Sequence, residues 1–173
     1  MIYFTADLHF YHQNIIRHTQ RPFYTVDEMN KCLIRKWNEK VTSEDFVYIL
    51  GDFTMKGAEI ASTVLYSLKG KKYLIRGNHD SFLDRASFDQ SLFVAVEDYM
   101  EITYLNTQFI LFHYPIIDWH NMRRGAVMLH GHQHNQKEYN IKNRQNGMLR
   151  YDVGVDANNM MPVSAQEIIE FFA

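Results

Sequence analysis

A single cysteine, Cys32, leaves the chain without an internal disulfide and without a thiolate cluster to offer a metal, a composition that suits a reducing compartment. No stretch approaches the roughly eighteen consecutive apolar residues of a membrane span, and no basic segment with an apolar stretch behind it precedes the strand-like residues that begin at Ile2. The expectation is a soluble, cytoplasmic protein. Long runs of either charge are also missing: eighteen Lys and Arg stand against twenty Asp and Glu, a net charge of −2. A tight nonspecific grip on nucleic acid needs a concentrated basic patch, so this balance argues against one while leaving a nucleotide-sized substrate open. There is no internal repeat, linker or low-complexity segment. With 173 residues, 46% of them apolar, the chain can bury one good core and is short for two, so a single domain over residues 1–173 is expected.

Against these absences stands one recurring arrangement. Its clearest case is Lys72 to Asp80, K-Y-L-I-R-G-N-H-D, where a short apolar run suited to a buried strand stops and delivers an amide, an imidazole and a carboxylate in succession. The same grammar occurs at Ile2–Thr5 before Asp7 and His9, at Phe46–Leu50 before Asp52, at Phe109–Phe112 before His113, and at Ala126–Leu129 before His132 and His134. In open α/β sheets ligands bind beyond the carboxyl ends of the strands, so these exits should converge on one place. Nine histidines beside one cysteine favour a site ligated by nitrogen and oxygen.

Taken in order, the chain reads as strand 2–6, a short helix from His12 to Thr19, and a long helix opened by Thr25 and Glu28 as a capping box, with Tyr24 and Met29 as its hydrophobic staple. Asp7 and His9, two apart, would share a side in extended geometry. A second strand at 46–50, a helix from about Gly57 to Lys69 stopped by Gly70, and a strand at 71–75 complete a parallel βαβ pattern. Residues 92–96, 99–105 and 107–112 read as short strands, the last two joined by a turn at Asn106. Residues 118–125 read as a loop over the site. Glu138–Ile141 and Met148–Val153 read as a hairpin turning at Asn146-Gly147, and Ser164 with Glu167 caps a closing helix, Val163 and Ile168 forming its staple.

D-x-H at Asp7 and His9, G-D at Asp52, G-N-H-D at Asn78 and His79, the lone His113, and G-H-x-H at His132 and His134 resemble, in type and order, the five blocks of the calcineurin-like metallophosphoesterases. D-L-H-F, R-P-F and the stretch from Val153 to Ser164 look like the small bacterial and phage-type members. The resemblance covers nearly the whole chain. It implies an α/β fold of four layers, α/β/β/α, with two packed mixed sheets flanked by helices. It also implies two divalent metals, Mn foremost, with Fe, Zn, Ni or Co as the other candidates. One metal would take Asp7, His9, Asp52 and His134; the other would take Asp52, Asn78, His113 and His132, with Asp52 as the bridge. Two metals about 3.5–4 Å apart acidify a water between them and stabilise an in-line displacement at phosphorus, so no protein nucleophile is needed. His79, matched to the histidine that meets the phosphate in the family, is the implied general acid. Two departures stand out. Met55 occupies the place where phosphatase-type relatives carry an aspartate that orients this histidine, leaving Asp80 as the local candidate. Phe112 precedes His113 where many members have glycine.

Around this set, His12, His120, Arg123 and Arg124 are candidate substrate contacts, with Arg17, Arg21 and Arg76 as further guanidiniums that match phosphate bidentately. His130 alternates with His132 and would point the same way. Asp156, Asn158 and Asn159 read as a turn. The expected function is hydrolysis of a phosphomonoester or phosphodiester, nucleotide-sized for want of an obvious cap domain. The alternatives are a noncatalytic metal-binding scaffold of the same fold and a nuclease-type relative acting on nucleic acid.

Overall fold

The computed structural model describes residues 1–173. Five strands form one sheet: β1 (Ile2–Thr5), β2 (Phe46–Ile49), β3 (Lys71–Ile75) and β4 (Ala95–Glu97) run parallel, and β9 (Val163–Ser164) pairs antiparallel with β1, in the order β4-β3-β2-β1-β9. Four strands form the other, in the order β5-β6-β7-β8: β5 (Tyr99–Tyr104) and β6 (Thr107–Phe112) make an antiparallel hairpin, and β7 (Val127–His130) and β8 (Arg150–Asp152) continue parallel to β6. The helices are α1 (Gln13–His18), α2 (Val26–Lys40), α3 (Ala58–Ser67), α4 (Lys137–Gln145) and α5 (Ala165–Phe172). None is long and apolar enough to cross a membrane.

Strand alternation sorts the core into layers. Tyr3, Val47, Ile49 and Leu74 face outward onto Met29, Leu33 and Trp37 of α2 and Ala61, Val64 and Leu65 of α3. Their neighbours Phe4, Tyr48, Leu50 and Ile75 face inward and meet Phe109, Leu111, Val127 and Leu129 of the second sheet. Burying each such side chain contributes about 1.5–3 kcal/mol, so the layer between the sheets is a main source of stability. The result is the expected pair of mixed sheets flanked by helices.

Four local expectations are corrected. Residues 137–145 are helical, so β7, α4 and β8 form a parallel crossover and not a hairpin. The helix escapes a hydrophobicity reading because its inward face is amide: Asn140 donates to the Asp152 carbonyl and accepts from the Asp152 N–H, and Asn143 donates to the Arg150 carbonyl. These asparagines satisfy the outer edge of β8, which would otherwise be an open strand edge. At the start of α2, Thr25 accepts from the Glu28 N–H, but the Glu28 carboxylate turns to the Tyr24 N–H, so the capping box is displaced by one residue. Tyr24 is 93% exposed and staples nothing. The box at α5 forms in full, with Ser164 and Glu167 bonding reciprocally.

The loop at 118–125 lies over the outer face of the second sheet, where buried Trp119 packs with Ile110, Ala126 and Met128. Its other tethers agree: His120 Nδ1 sits 2.8 Å from Glu101 Oε2, and Asn121 donates to Gln108. Burial of the indole, whose N–H donates to the Ala126 carbonyl, dictates this placement.

Asn140→Leu keeps the volume and removes both bonds to the Asp152 backbone. Two lost hydrogen bonds at about 1 kcal/mol each predict a thermal midpoint lower by roughly 4–8 °C in a chain of this size. An unchanged midpoint in calorimetry would show that α4 does not hold β8.

Candidate metal centre

Parallel strands end side by side, so β1, β2 and β3 in one sheet and β6 and β7 in the other deliver their exit loops to one end of the sandwich. There the structure brings together Asp7, His9, Asp52, Asn78, His113, His132 and His134, in two groups. The ligand atoms of Asp7, His9 and His134 lie within 4.8 Å of one another, as do those of Asp52, His113 and His132. Asp52 faces both: its Oδ2 is 3.4 Å from His9 Nε2 and its Oδ1 is 3.6 Å from His113 Nε2. Asn78 Oδ1 stands 3.0 Å from both His113 Nε2 and His132 Nδ1.

The loops reach this arrangement through left-handed backbone, not extended backbone. Asp7, His9, Asp52, His132 and His134 all have positive φ, between 49° and 70°. Each such residue costs on the order of 1–3 kcal/mol, and Asp and His tolerate the conformation better than most. Asp7 and His9 therefore converge through left-handed backbone, corrected from the extended i, i+2 reading, and their N–H groups bond to the Gly51 and Asp52 carbonyls at 3.0 and 2.9 Å. Gly51 has φ 86°, and a Cβ there would sit 2.3 Å from His113 Nδ1. At Gly131 a Cβ would meet Asp7 Oδ2 at 2.6 Å. These two glycines are what allow the loops to close on the ligands.

The electrostatics are unbalanced. Asp7, Asp52, Asp80, Asp152 and Asp156 are all buried, and Arg21 is the one buried Lys or Arg. Burial, reinforced by the Asp152 and Asp52 carboxylates, pushes the Asp7 carboxyl well above its usual range against the pull of the His132 N–H. His9 is driven down to about 2 by burial, by His134 and by Arg21, so its ring is held neutral, and neither ring nitrogen has a hydrogen-bond partner. His113 is also lowered by burial, and its Nδ1 is fixed 2.7 Å from the Leu50 carbonyl, leaving Nε2 to face Asp52. Crowded carboxylates beside several imidazoles, one of them, His9, without a partner at either nitrogen, are a donor set that fits a divalent cation.

Several sequence expectations move. Arg21 is no phosphate clamp: buried, it forks onto both oxygens of Asp156 at 2.8 and 2.9 Å and reaches the Asp7 and Leu8 carbonyls. Asp156 is more than a turn residue, since its Oδ2 also holds His134 Nδ1 at 2.8 Å. Burial alone would raise its pKa, but the bonds from His134 and Arg21 outweigh that and hold it low. The signal that could have found Asp156 is the strand-exit grammar itself, because Val153-Gly154-Val155 leads into it just past β8. Asp80 does not orient His79. It accepts from the N–H groups of Asp52, Phe53 and Gly77, shaping the β2 and β3 exits, and burial lifts it to about 6.

His79 is tied by its N–H to Asp52 Oδ1 at 2.9 Å, and its ring lies 5.5 Å from that of His9. His12 stands nearby, its ring 5.4 Å from His9 and its charged form disfavoured by burial and by His79 and His18. His130 does not point with His132. It is buried with Nε2 3.1 Å from the Tyr139 hydroxyl, because the chain leaves extended geometry at His132. His120 belongs to the Glu101 contact, and exposed Arg123 and Arg124 line an open hollow that none of the seven clustered residues shares. Arg76 pairs with Asp84. Phe112, in place of a glycine, packs between Tyr99 and Tyr114 and leaves His113 in its group.

A family model described as calcineurin-like phosphoesterase matches residues 1–156. An uncharacterized protein of Methanocaldococcus jannaschii is 35% identical over 173 residues, covering 98% of this chain and 89% of that one. The gene 66 protein of Mycobacterium phage D29 is 27% identical over 189 residues, covering 94% of this chain and 92% of its own. Among solved structures, a protein of unknown function from Aquifex aeolicus superposes with a TM-score of 0.78 at 25% identity, covering 98% of each chain. The matched span runs from β1 to Asp156 and so takes in every residue of the two ligand groups together with the aspartate that holds His134: this chain belongs to the calcineurin-like phosphoesterase family.

Proposed function

We propose that the chain is a two-metal phosphoesterase that hydrolyses a small phosphomonoester or phosphodiester of nucleotide size. The observation that carries this is Asp52, whose two carboxylate oxygens each face a different ligand group. Asp7, His9 and His134 would hold one cation and Asn78, His113 and His132 the other, with Asp52 shared. His9, buried with no partner for either nitrogen, fits such a ligand. Divalent cations held there, with Mn²⁺ the one to supply first, would polarise the phosphoryl oxygens and raise the acidity of water at the site.

The chain's own residues do the rest. Asn78 and His79 follow each other at the β3 exit, and the bond from the His79 N–H to Asp52 fixes the loop relative to both groups. The His79 ring carries no hydrogen bond to a carboxylate, in keeping with Met55, and is free to turn toward a leaving oxygen and give it a proton. His134 is oriented by Asp156, and His113 by the Leu50 carbonyl, so each presents its other nitrogen to its group. His12, beside His9 and His79, lies where it can touch the substrate.

With Mn²⁺ resupplied to metal-stripped protein, turnover of bis-p-nitrophenyl phosphate or p-nitrophenyl phosphate is expected, and Asp52→Ala should abolish it. His79→Ala should lower kcat by roughly 10²–10⁴ while metal content measured by mass spectrometry stays that of the wild type. Wild-type kcat in that variant would remove His79 from the mechanism. Asp156→Asn should weaken one of the two bound metals by roughly 10–100-fold, read by titration with a chelating dye, and leave the other nearly unaffected. Equal weakening of both, with the thermal midpoint still that of the wild type and the Arg21 pair therefore not the cause, would contradict the assignment of His134 to a single group.

A further inference from the structure

The two ligand groups are flanked differently. On the side of His132 and His113 the neighbour is the exposed Tyr114, whose ring stands 4.6 Å from that of His132 and 4.9 Å from that of His113. On the side of His134 the surface is wholly polar. A hollow of about 430 Å³ is lined by His18, Thr19, Gln20, His134 and Gln136, and a second of about 320 Å³ by Asn14, Arg17 and His18. His18 lines both, so the two hollows adjoin at its side chain, one bounded by His134 of the candidate metal centre and the other by residues of α1, and together they are called the groove. Its walls hold two imidazoles, a guanidinium, amides and a hydroxyl. No carboxylate and no apolar side chain takes part, in a chain with more acidic than basic residues.

The basic groups in this stretch have separate fates. Arg21 is spent inside the fold on Asp156 and two main-chain carbonyls. Arg17 and His18 are exposed and engaged in no ion pair, and both face the groove. An uncompensated guanidinium with neighbouring imidazole and amide donors is the chemistry that receives a phosphate.

We propose that this groove is a subsite for a second phosphate of the substrate, with Arg17 its principal contact and His18 and Gln136 its flanks. The reading rests on the phosphoesterase assignment and narrows it. The substrate carries a phosphate beyond the scissile one, reached from the His134 side. Such a phosphate has two sources, an anhydride-linked chain or the backbone phosphate across a sugar.

The test uses two chromogenic diesters, thymidine 5′-(p-nitrophenyl phosphate) and the same ester carrying a 3′-phosphate, on Mn²⁺-loaded protein. The second should have the lower KM in wild type. Arg17→Ala should raise its KM by about tenfold or more, equivalent to losing one charge-assisted contact, with the KM of the first ester unchanged. Arg17→Lys should restore part of the difference. Thymidine 5′-diphosphate and thymidine 3′,5′-bisphosphate as competitors distinguish the sources, since the favoured geometry is the one whose inhibition weakens in Arg17→Ala. A role for Arg17 confined to the helix end would lower the thermal midpoint and move both KM values together or neither.

Equal KM values for the two esters in wild type, together with inhibition by thymidine 5′-diphosphate and by the bisphosphate that Arg17→Ala leaves unchanged, or an equal change in both KM values on Arg17→Ala, would overturn the subsite while the hydrolase reading stands. If neither ester is cleaved, calorimetric binding of the bisphosphate decides. Tighter binding to wild type than to Arg17→Ala supports the subsite and leaves the hydrolase reading to fail alone; equal binding overturns the subsite as well.

Discussion

The Arg21–Asp156 pair is the contact on which the site end of the molecule depends. It joins residues 135 positions apart, and both side chains are fully buried. One guanidinium fixes the carbonyls of Asp7 and Leu8 at the end of β1, and one carboxylate fixes the ring of His134 beyond β7. Removing one partner of a buried pair costs about 3–5 kcal/mol, because the survivor is left as an uncompensated charge. That cost is comparable to the strain of two or three of the left-handed residues in the same loops, so the pair is large enough to hold them in place.

The centre is therefore assembled under opposing demands. Sheet geometry brings five strand ends together, but the ligands meet only because the exit loops adopt positive φ and because Gly51 and Gly131 leave room for His113 and Asp7. The carboxylates so collected repel one another, as the raised Asp7 shows. All four accept from main-chain N–H groups, Asp7 from His132 and Asp52 from His79 among them, and Asp80 and Asp152 likewise, and Asp52 in addition faces the rings of His9 and His113. A cation between these carboxylates would relieve the repulsion and would give the neutral, unpartnered ring of His9 something to bind. Metal bound only by the folded chain would add to its stability.

The positions legible in the sequence are those where chemistry is written locally. Apolar runs that stop at Gly, Asp, His or Asn gave the strand exits, and the seven clustered residues are the ones those exits carry. β3, the β5–β6 hairpin and the cap of α5 were legible for the same reason. What stayed hidden depends on contacts between distant segments. Arg21 looks like any solvated arginine until Asp156 is placed beside it. The inner face of α4 is made of Asn140 and Asn143, which bond a strand edge and so leave no apolar periodicity to read. The loop around Trp119 reads from its polar residues as a cover for the site, but a single indole, buried against Ile110 and Met128, governs where it lies.

Everything proposed for the site requires Asp52 to serve both ligand groups at once. Electron paramagnetic resonance of the protein titrated with Mn²⁺ tests it directly, because two ions sharing one carboxylate couple magnetically. A shared Asp52 predicts saturation at two equivalents and an exchange-coupled spectrum that collapses to an isolated six-line signal in Asp52→Ala. Saturation at one equivalent, or two equivalents giving only uncoupled signals in the wild type, would contradict it.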